Sequence, residues 1–288
     1  MSGRRRCRER QFEMLRERVS EDIYVFTSEM YAQVTSGAIV APEGAVVIDT
    51  LAFPAETLEV KEFLEKQLGT TVRYIINTHY HADHTNGNSF FPNAQVIGHK
   101  LCRELLDTIG RTGLERAQEE SSDLAGISIV LPTILMDATS LYLHVGKKTL
   151  QLIPSPGHTP DSISVLFRED RILFAGDMMM PIPYIVDGDP DDMIRSLQAL
   201  PGMGLENVVQ GHGEVILRGE IDEAVKSGVR YLELARKKVQ QVVKRQKPRE
   251  TVREIDIESC GKARISLGGL VTKLHTANLL SLYDRMVA

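Results

Sequence analysis

Short runs of β-branched and aliphatic residues, separated by glycine and polar clusters, fill the first part of the chain. Residues 23–26, 31–34, 38–41 and 45–48 each read as a strand, and together as an antiparallel meander. Pro54 then opens a helix with Leu58, Phe63, Leu64 and Leu68 on one apolar face and Gly69 at its end. The run Val72-Arg73-Tyr74-Ile75-Ile76 predicts a buried strand, and Asn77-Thr78 carries the chain off its end into a loop. Residues 94–97 repeat the strand pattern. A polar, charge-rich helical region follows over 100–125, with Gly110, Gly113 and Gly126 as breaks, in a position to cover whatever the preceding loop holds.

A second set of strands is predicted at 134–136, 141–145, 150–153, 163–167 and 172–174. Asp189-Pro190-Asp191-Asp192 has the makings of a helix start: a capping carboxylate, proline in the first turn and acidic residues against the N-terminal dipole. Residues 207–209 form a short strand. The longest helix runs over 219–247 until Pro248 stops it, and another covers 279–286. Two strand-rich halves with helices between them predict an α/β protein in which two sheets pack together and helices lie outside. Residues 1–20 read as a polar arm or short helix, 21–218 as the main domain, and 219–288 as a helical extension packed on that domain or on a partner subunit, which makes a homodimer an open option.

Composition narrows the function classes. The 288 residues are 42% hydrophobic and 25% charged, with a net charge of -5, which argues against recognition of nucleic acid through an overall positive field. No apolar run is long enough to span a membrane, and the arginine-rich start lacks the apolar segment of a secretory signal. The three cysteines, Cys7, Cys102 and Cys260, are far apart and suggest neither a disulfide framework nor a thiolate metal site, so a reducing cytoplasm fits.

The chemistry concentrates in His79-Tyr80-His81-Ala82-Asp83-His84, three imidazoles and a carboxylate within six positions at the mouth of a predicted strand. Three more places set a ligand-type residue just after a strand-like run in a glycine-bearing turn: Pro156-Gly157-His158, Ala175-Gly176-Asp177 and Gln210-Gly211-His212. Imidazole and carboxylate without thiolate suit zinc, and also iron or manganese, in a catalytic site. His99, His144 and His275 have no such partners in sequence and read as structural or surface residues.

His-x-His-x-Asp-His followed by a later His, an Asp and a final His resembles the metallo-β-lactamase fold superfamily, over roughly residues 20–215. The resemblance implies an αββα four-layer sandwich holding two Zn(2+) ions per chain. His79, His81 and His158 would hold the first, Asp83, His84 and His212 the second, and Asp177 would bridge them. Asp49 would support the ligand loop from behind, and Thr78 and Thr159 would hydrogen-bond neighbouring ligand groups. It further implies a hydroxide shared by the two metals as nucleophile, with Asp83 orienting it or moving its proton, and hydrolysis of a thioester, lactone or related ester or amide in a small molecule.

Departures from particular branches shape the rest. Asp177 at the bridging position turns the reading from a dedicated β-lactamase toward a general acyl hydrolase, with promiscuous β-lactam cleavage as a side activity. Met180 stands where related lactonases place a tyrosine. Met179, Met180 and Tyr184, just beyond the bridging Asp, are expected to form an apolar substrate wall. The basic stretch Arg236 to Arg249 imitates a glutathione-binding segment but reads better as a solvated helix face. The competing reading is a mononuclear iron enzyme of the persulfide dioxygenase kind.

Overall fold

The computed structural model describes residues 14–288; the arginine-rich start and Cys7 lie outside the described residues. Seven strands form one sheet in chain order: β1 Leu15–Ser20, β2 Ile23–Thr27, β3 Thr35–Ala41, β4 Gly44–Ile48, β5 Val72–Ile76, β6 Gln95–His99 and β7 Ile134–Met136. The first four are an antiparallel meander, and β4 to β7 run parallel. The second sheet holds β8 Leu141–Val145, β9 Lys148–Pro154, β10 Ile163–Phe167, β11 Ile172–Phe174, β12 Asn207–Val209 and β13 Ile216–Leu217, in the order β13-β12-β11-β10-β9-β8. Only β11 and β12 pair in parallel there.

The strands are continuous apolar runs because each sheet is covered on both faces. Ile23 and Val25, Val46 and Ile48, and Ile76 point from the first sheet onto Leu150, Leu152, Val165 and Phe174 of the second. Their alternates, Phe26, Val47 and Ile75, face outward onto helix α1, Pro54–Glu62, and the turn after it, through Val60, Phe63 and Leu64. On the far side, Leu173 and Val208 of the second sheet pack under the helix at Pro190–Ala199 and two long C-terminal helices. The result is the helix, sheet, sheet, helix sandwich of an α/β protein. A short helix α2, Ala82–Thr85, carries part of the His cluster, and α3 Lys100–Leu105 and α4 Arg111–Glu120 follow β6. α5 is Pro190–Ala199, capped by Asp189 as the sequence predicts, α6 is Ile221–Lys244 and α7 is Val271–Val287. Among the described residues no helix is long and apolar enough to cross a membrane.

Several local expectations are corrected. Leu15–Ser20 is an edge strand on β2, not an arm or short helix, because it has a ready-made antiparallel neighbour. Of residues 31–34, only Val34 makes a bridge; Ala32 and Gln33 adopt left-handed φ values of 47° and 53°, which no strand accommodates. In α1 the buried face is Glu56, Thr57 and Val60, held by hydrogen bonds from Ser28 and to the Thr50 carbonyl, while Leu58 and Leu68 are left exposed. Gly110 and Gly113 lie inside continuous helix. The C-terminal extension shares one hydrophobic cluster with the second sheet through Tyr231, Leu232, Val239 and Leu279, and α7 is longer than predicted.

Candidate metal centre

Five loops leave strand ends on one edge of the sandwich and converge. Asp49 follows β4, the His79–His84 segment follows β5, His158 follows β9, Asp177 follows β11 and His212 follows β12. Glycine makes the approach possible where the backbones crowd. Gly157 has φ of +143°, and a Cβ there would lie 2.4 Å from Met193 Cα; a Cβ on Gly211 would stand 1.9 Å from Asp177 Oδ1.

The seven ligand-type residues form two groups, His79, His81, His158 and Asp177 in one, Asp83, His84 and His212 in the other, each with its ligand atoms within 4.8 Å of one another. In the first, His81 Nδ1 lies 3.0 Å from His79 Nε2 and 2.9 Å from His158 Nε2. In the second, Asp83 Oδ2 lies 3.3 Å from His212 Nε2 and 3.8 Å from His84 Nε2. Asp177 touches both groups: Oδ2 is 3.3 Å from His158 Nε2, and Oδ1 is 3.2 Å from His84 Nε2.

Every imidazole has its outer nitrogen fixed by an oxygen acceptor. His84 Nδ1 donates to Asp49 Oδ2 at 2.8 Å, and Thr78 Oγ1 donates to the same oxygen at 2.7 Å while accepting from His79 Nδ1 at 3.0 Å. His158 Nδ1 donates to the Tyr184 carbonyl at 2.8 Å, His212 Nδ1 to the Ala32 carbonyl at 2.9 Å, and His81 Nε2 to Asp187 Oδ2 at 3.2 Å. In the first group the inner nitrogens of His79, His81 and His158 therefore turn lone pairs toward one another, an arrangement that repels unless a cation lies between them. Ligands about 2.0–2.1 Å from a tetrahedral zinc sit roughly 3.3 Å apart, close to the distances here. His84 Nε2 and Asp177 Oδ1 make the same point: both are buried, and neither has a hydrogen-bond partner. The donor set fits a metal.

Charge within the metal-free cluster divides accordingly. Burial, joined by the neighbouring His84 and His81, holds His79 well below the usual histidine range, and burial brings His158 down to about 4. Burial also works against His84 and His212, but Asp177 with the other carboxylates overcomes it, raising His84 well above its ordinary value and His212 to about 10. Burial likewise opposes ionisation of Asp83 and Asp177, yet His84 and His212 win, leaving Asp83 at about 2 and Asp177 well below the carboxylate range.

A cavity of about 320 Å³ opens over the two groups, lined by His81, Asp83, His158, Asp177 and His212 together with Tyr31, Tyr184, Met180 and Asp187. Leu267, Leu270 and Leu274 also line it. Met180 and Tyr184 thus stand where the sequence predicts a wall. Met179 does not: it is 3% exposed and packed into the hydrophobic cluster under α5. Residues 100–125 do not line the cavity either; Cys102 and Leu106 pack behind Tyr80. Thr159 bonds Ser162 rather than a ligand, whereas Thr78 supports His79 as expected. No residue of the basic stretch reaches the cavity; Arg236 pairs with Asp191 and Arg249 with Asp284. His99 caps α3 with its ring, and His275 is buried between Tyr231 and the Ile255 carbonyl, so both are structural.

Sequence reasoning misses Asp187, Tyr31 and the three leucines. A further element it misses is Asn278, fully buried on α7, which donates to the Pro183 carbonyl at 2.7 Å and accepts from Ile185 N at 3.0 Å. It pins the backbone on both sides of Tyr184, the residue whose carbonyl orients His158.

The family model of the metallo-beta-lactamase superfamily matches residues 31–219. The chain is 27% identical over 186 residues to a beta-lactamase-like protein 2 homolog of Caenorhabditis elegans, covering 65% of this chain and 56% of that one. It is 29% identical over 152 residues to a hydroxyacylglutathione hydrolase of Rhodospirillum rubrum, covering 51% and 50%. The chain thus spans about half the length of these relatives. Among solved structures, a metallo-beta-lactamase from Pontibacter korlensis superposes with a TM-score of 0.61 at 21% identity, over 74% of this chain and 98% of that one. A sec-alkylsulfatase from Pseudomonas gives 0.72 at 14% identity over 94% of this chain and 50% of that one, a likeness of fold that reaches into the C-terminal helices.

Proposed function

This chain belongs to the metallo-beta-lactamase superfamily, and on that footing we propose that it is a hydrolase holding two metal ions, zinc by preference, that cleaves an acyl bond of a small molecule. The observation that carries the reading is the pair of ligand groups joined through Asp177, whose two oxygens face His158 and His84. A single-metal centre, such as an iron dioxygenase would use, has no role for the second ligand group of Asp83, His84 and His212.

When bound, the metals supply Lewis acidity that polarises a carbonyl and makes water a nucleophile near neutral pH. The chain's own residues do the rest. Asp83, kept ionised and lining the cavity, is a weak base, suited to orienting a proton and passing it on rather than storing it. Tyr31 is raised first by the charge of Asp83 and then by burial, and Tyr184 by burial and Asp187, so both remain neutral phenols able to donate hydrogen bonds into the cavity they line. Asp49 and the Tyr184 and Ala32 carbonyls position ligands from behind, and Asp187, which lines the cavity, positions His81.

The test is elemental analysis of the purified protein coupled to a hydrolysis panel of thioesters, lactones, β-lactams and phosphodiesters, with Asp177→Ala alongside. About two metals per chain, acyl cleavage, and joint loss of metal and activity in the variant support the proposal. One iron per chain with oxygen consumption would falsify it.

A further inference from the structure

The cavity has two unlike halves. One part of its lining is the ligand cluster, and another is apolar, made of Leu267, Leu270, Leu274 and Met180. The leucines come from beyond residue 219, outside the region the family model matches. Local backbone geometry puts them there. Leu267, Gly268 and Gly269 take consecutive left-handed φ values of 51°, 62° and 89°, turning the chain sharply into α7, which sets Leu270 and Leu274 one turn apart on one face. A bulky residue adopts φ above zero only where its surroundings hold it, and Leu267 is 7% exposed within the C-terminal core. Leu270 and Leu274 are half-buried and line the cavity.

Charge restricts the contents further. No lysine or arginine lines the cavity among the described residues, while Asp187 stands at its rim. The cation that faces Asp187 is Arg285, whose guanidinium is tied to the Ile185 and Val186 carbonyls. A carboxylate carried away from the reacting carbonyl would therefore meet leucines and another carboxylate.

We propose that the cavity takes an uncharged thioester, ester or lactone whose apolar acyl chain lies on Leu267, Leu270, Leu274 and Met180. The assignment rests on the acyl-hydrolase reading above. Water attacks the acyl carbonyl and the carbon–sulfur or carbon–oxygen bond breaks; the acid keeps the apolar chain, and the thiol or alcohol leaves with a proton.

The experiment compares the zinc-loaded full chain on N-acetylcysteamine thioesters of four-, six- and eight-carbon acids, and on the eight-carbon thioester bearing a terminal carboxylate. kcat/KM should rise about fourfold per added methylene until the cavity is filled. The terminal carboxylate should lower it at least tenfold. Leu270→Asn/Leu274→Asn should flatten the chain-length slope and Leu270→Met/Leu274→Met should keep it, with melting temperatures showing that both fold. Straight-chain methyl ketones of the same lengths, titrated by calorimetry, separate this assignment from the reaction itself. Ketone binding with the same slope but no thioester cleavage sinks acyl hydrolysis and keeps the apolar subsite. Cleavage with no slope, or with equal turnover of the carboxylate derivative, overturns the subsite, and neither cleavage nor ketone binding overturns both.

Discussion

His84 donates its Nδ1 proton to Asp49 Oδ2 across 2.8 Å, and Asp49 holds this position with a left-handed backbone, φ 55°. The same carboxylate receives the Thr78 hydroxyl and amide at 2.7 and 2.8 Å, so one side chain fixes the tautomers of His84 and, through Thr78, of His79. Removing its charge with Asp49→Asn should weaken metal binding by about 10–100-fold, the usual scale for a partner behind a ligand. Competition with a chelator of known affinity checks this; an unchanged affinity would show that Thr78 and the backbone suffice.

Metal uptake should release protons. In the metal-free protein His84 is held well above its ordinary value and His212 is raised to about 10, so both are imidazolium near neutrality and must deprotonate to bind. Calorimetry in buffers of different ionisation enthalpy should find about two protons released per chain at neutral pH, with the His212 contribution vanishing above its folded pKa of about 10. Loading at constant proton count across that range would contradict the charge distribution.

The same cluster sets the pH dependence of metal-free stability. Because His212 is raised to about 10 on folding, its contribution is complete below the unfolded value of about 6.5 and is lost as pH climbs through the folded one. Asp83, depressed to about 2, describes the same interaction from the acid side: its contribution is present above about 3.9 and is lost as pH falls toward 2. His79 and His158, both held below the ordinary histidine range, add a loss as pH falls below about 6.5, so the melting temperature of the metal-free protein should fall on both sides of a maximum at about pH 6.5. With zinc bound, the alkaline decline should be suppressed, since the imidazoles are then neutral throughout.

Gly211→Ala should displace Asp177, because the new Cβ would stand 1.9 Å from its Oδ1. The expected cost is about 1–3 kcal/mol of stability together with fewer metals per chain. Gly202→Ala, where nothing lies within 4 Å of the new Cβ, is the matched control and should leave metal content alone.

Asn278→Ala should free the Pro183–Ile185 backbone, removing bonds of 2.7 and 3.0 Å and leaving buried groups unpaired. Destabilisation of about 1–3 kcal/mol is expected. The specific sign is faster exchange of the Ile185 amide hydrogen, accompanied by weaker metal binding through His158. A loss of stability with neither change would reduce Asn278 to packing.

The seven ligand-type residues were readable from the chain because each follows a strand and a sharp turn, and strand ends in a layered fold meet on one edge. The layers were equally plain, since continuous apolar strands need cover on both faces. What hid was set by tertiary partners. Leu58 looks like core until Glu56 and Thr57 find buried hydrogen-bond partners and turn α1 the other way. Met179 follows a ligand by only two positions, yet its neighbour Met180 takes the cavity while Met179 takes the core. Asp187 and the leucines at 267, 270 and 274 carry no signal of their own; they matter because the chain returns to the ligand edge after its longest helix.

That return has a consequence for how the protein comes apart. One cluster of side chains runs from Leu173 and Val208 in the second sheet through Tyr231 and Leu232 of α6 to Leu279 and Leu282 of α7, and Asn278 bolts that cluster to the segment holding His158. A protease cut in the connection between α6 and α7 would sever nothing in the ligand set, yet it should inactivate as sharply as a cut beside His158. Heat should likewise dissolve the C-terminal helices and the metal edge in one cooperative step.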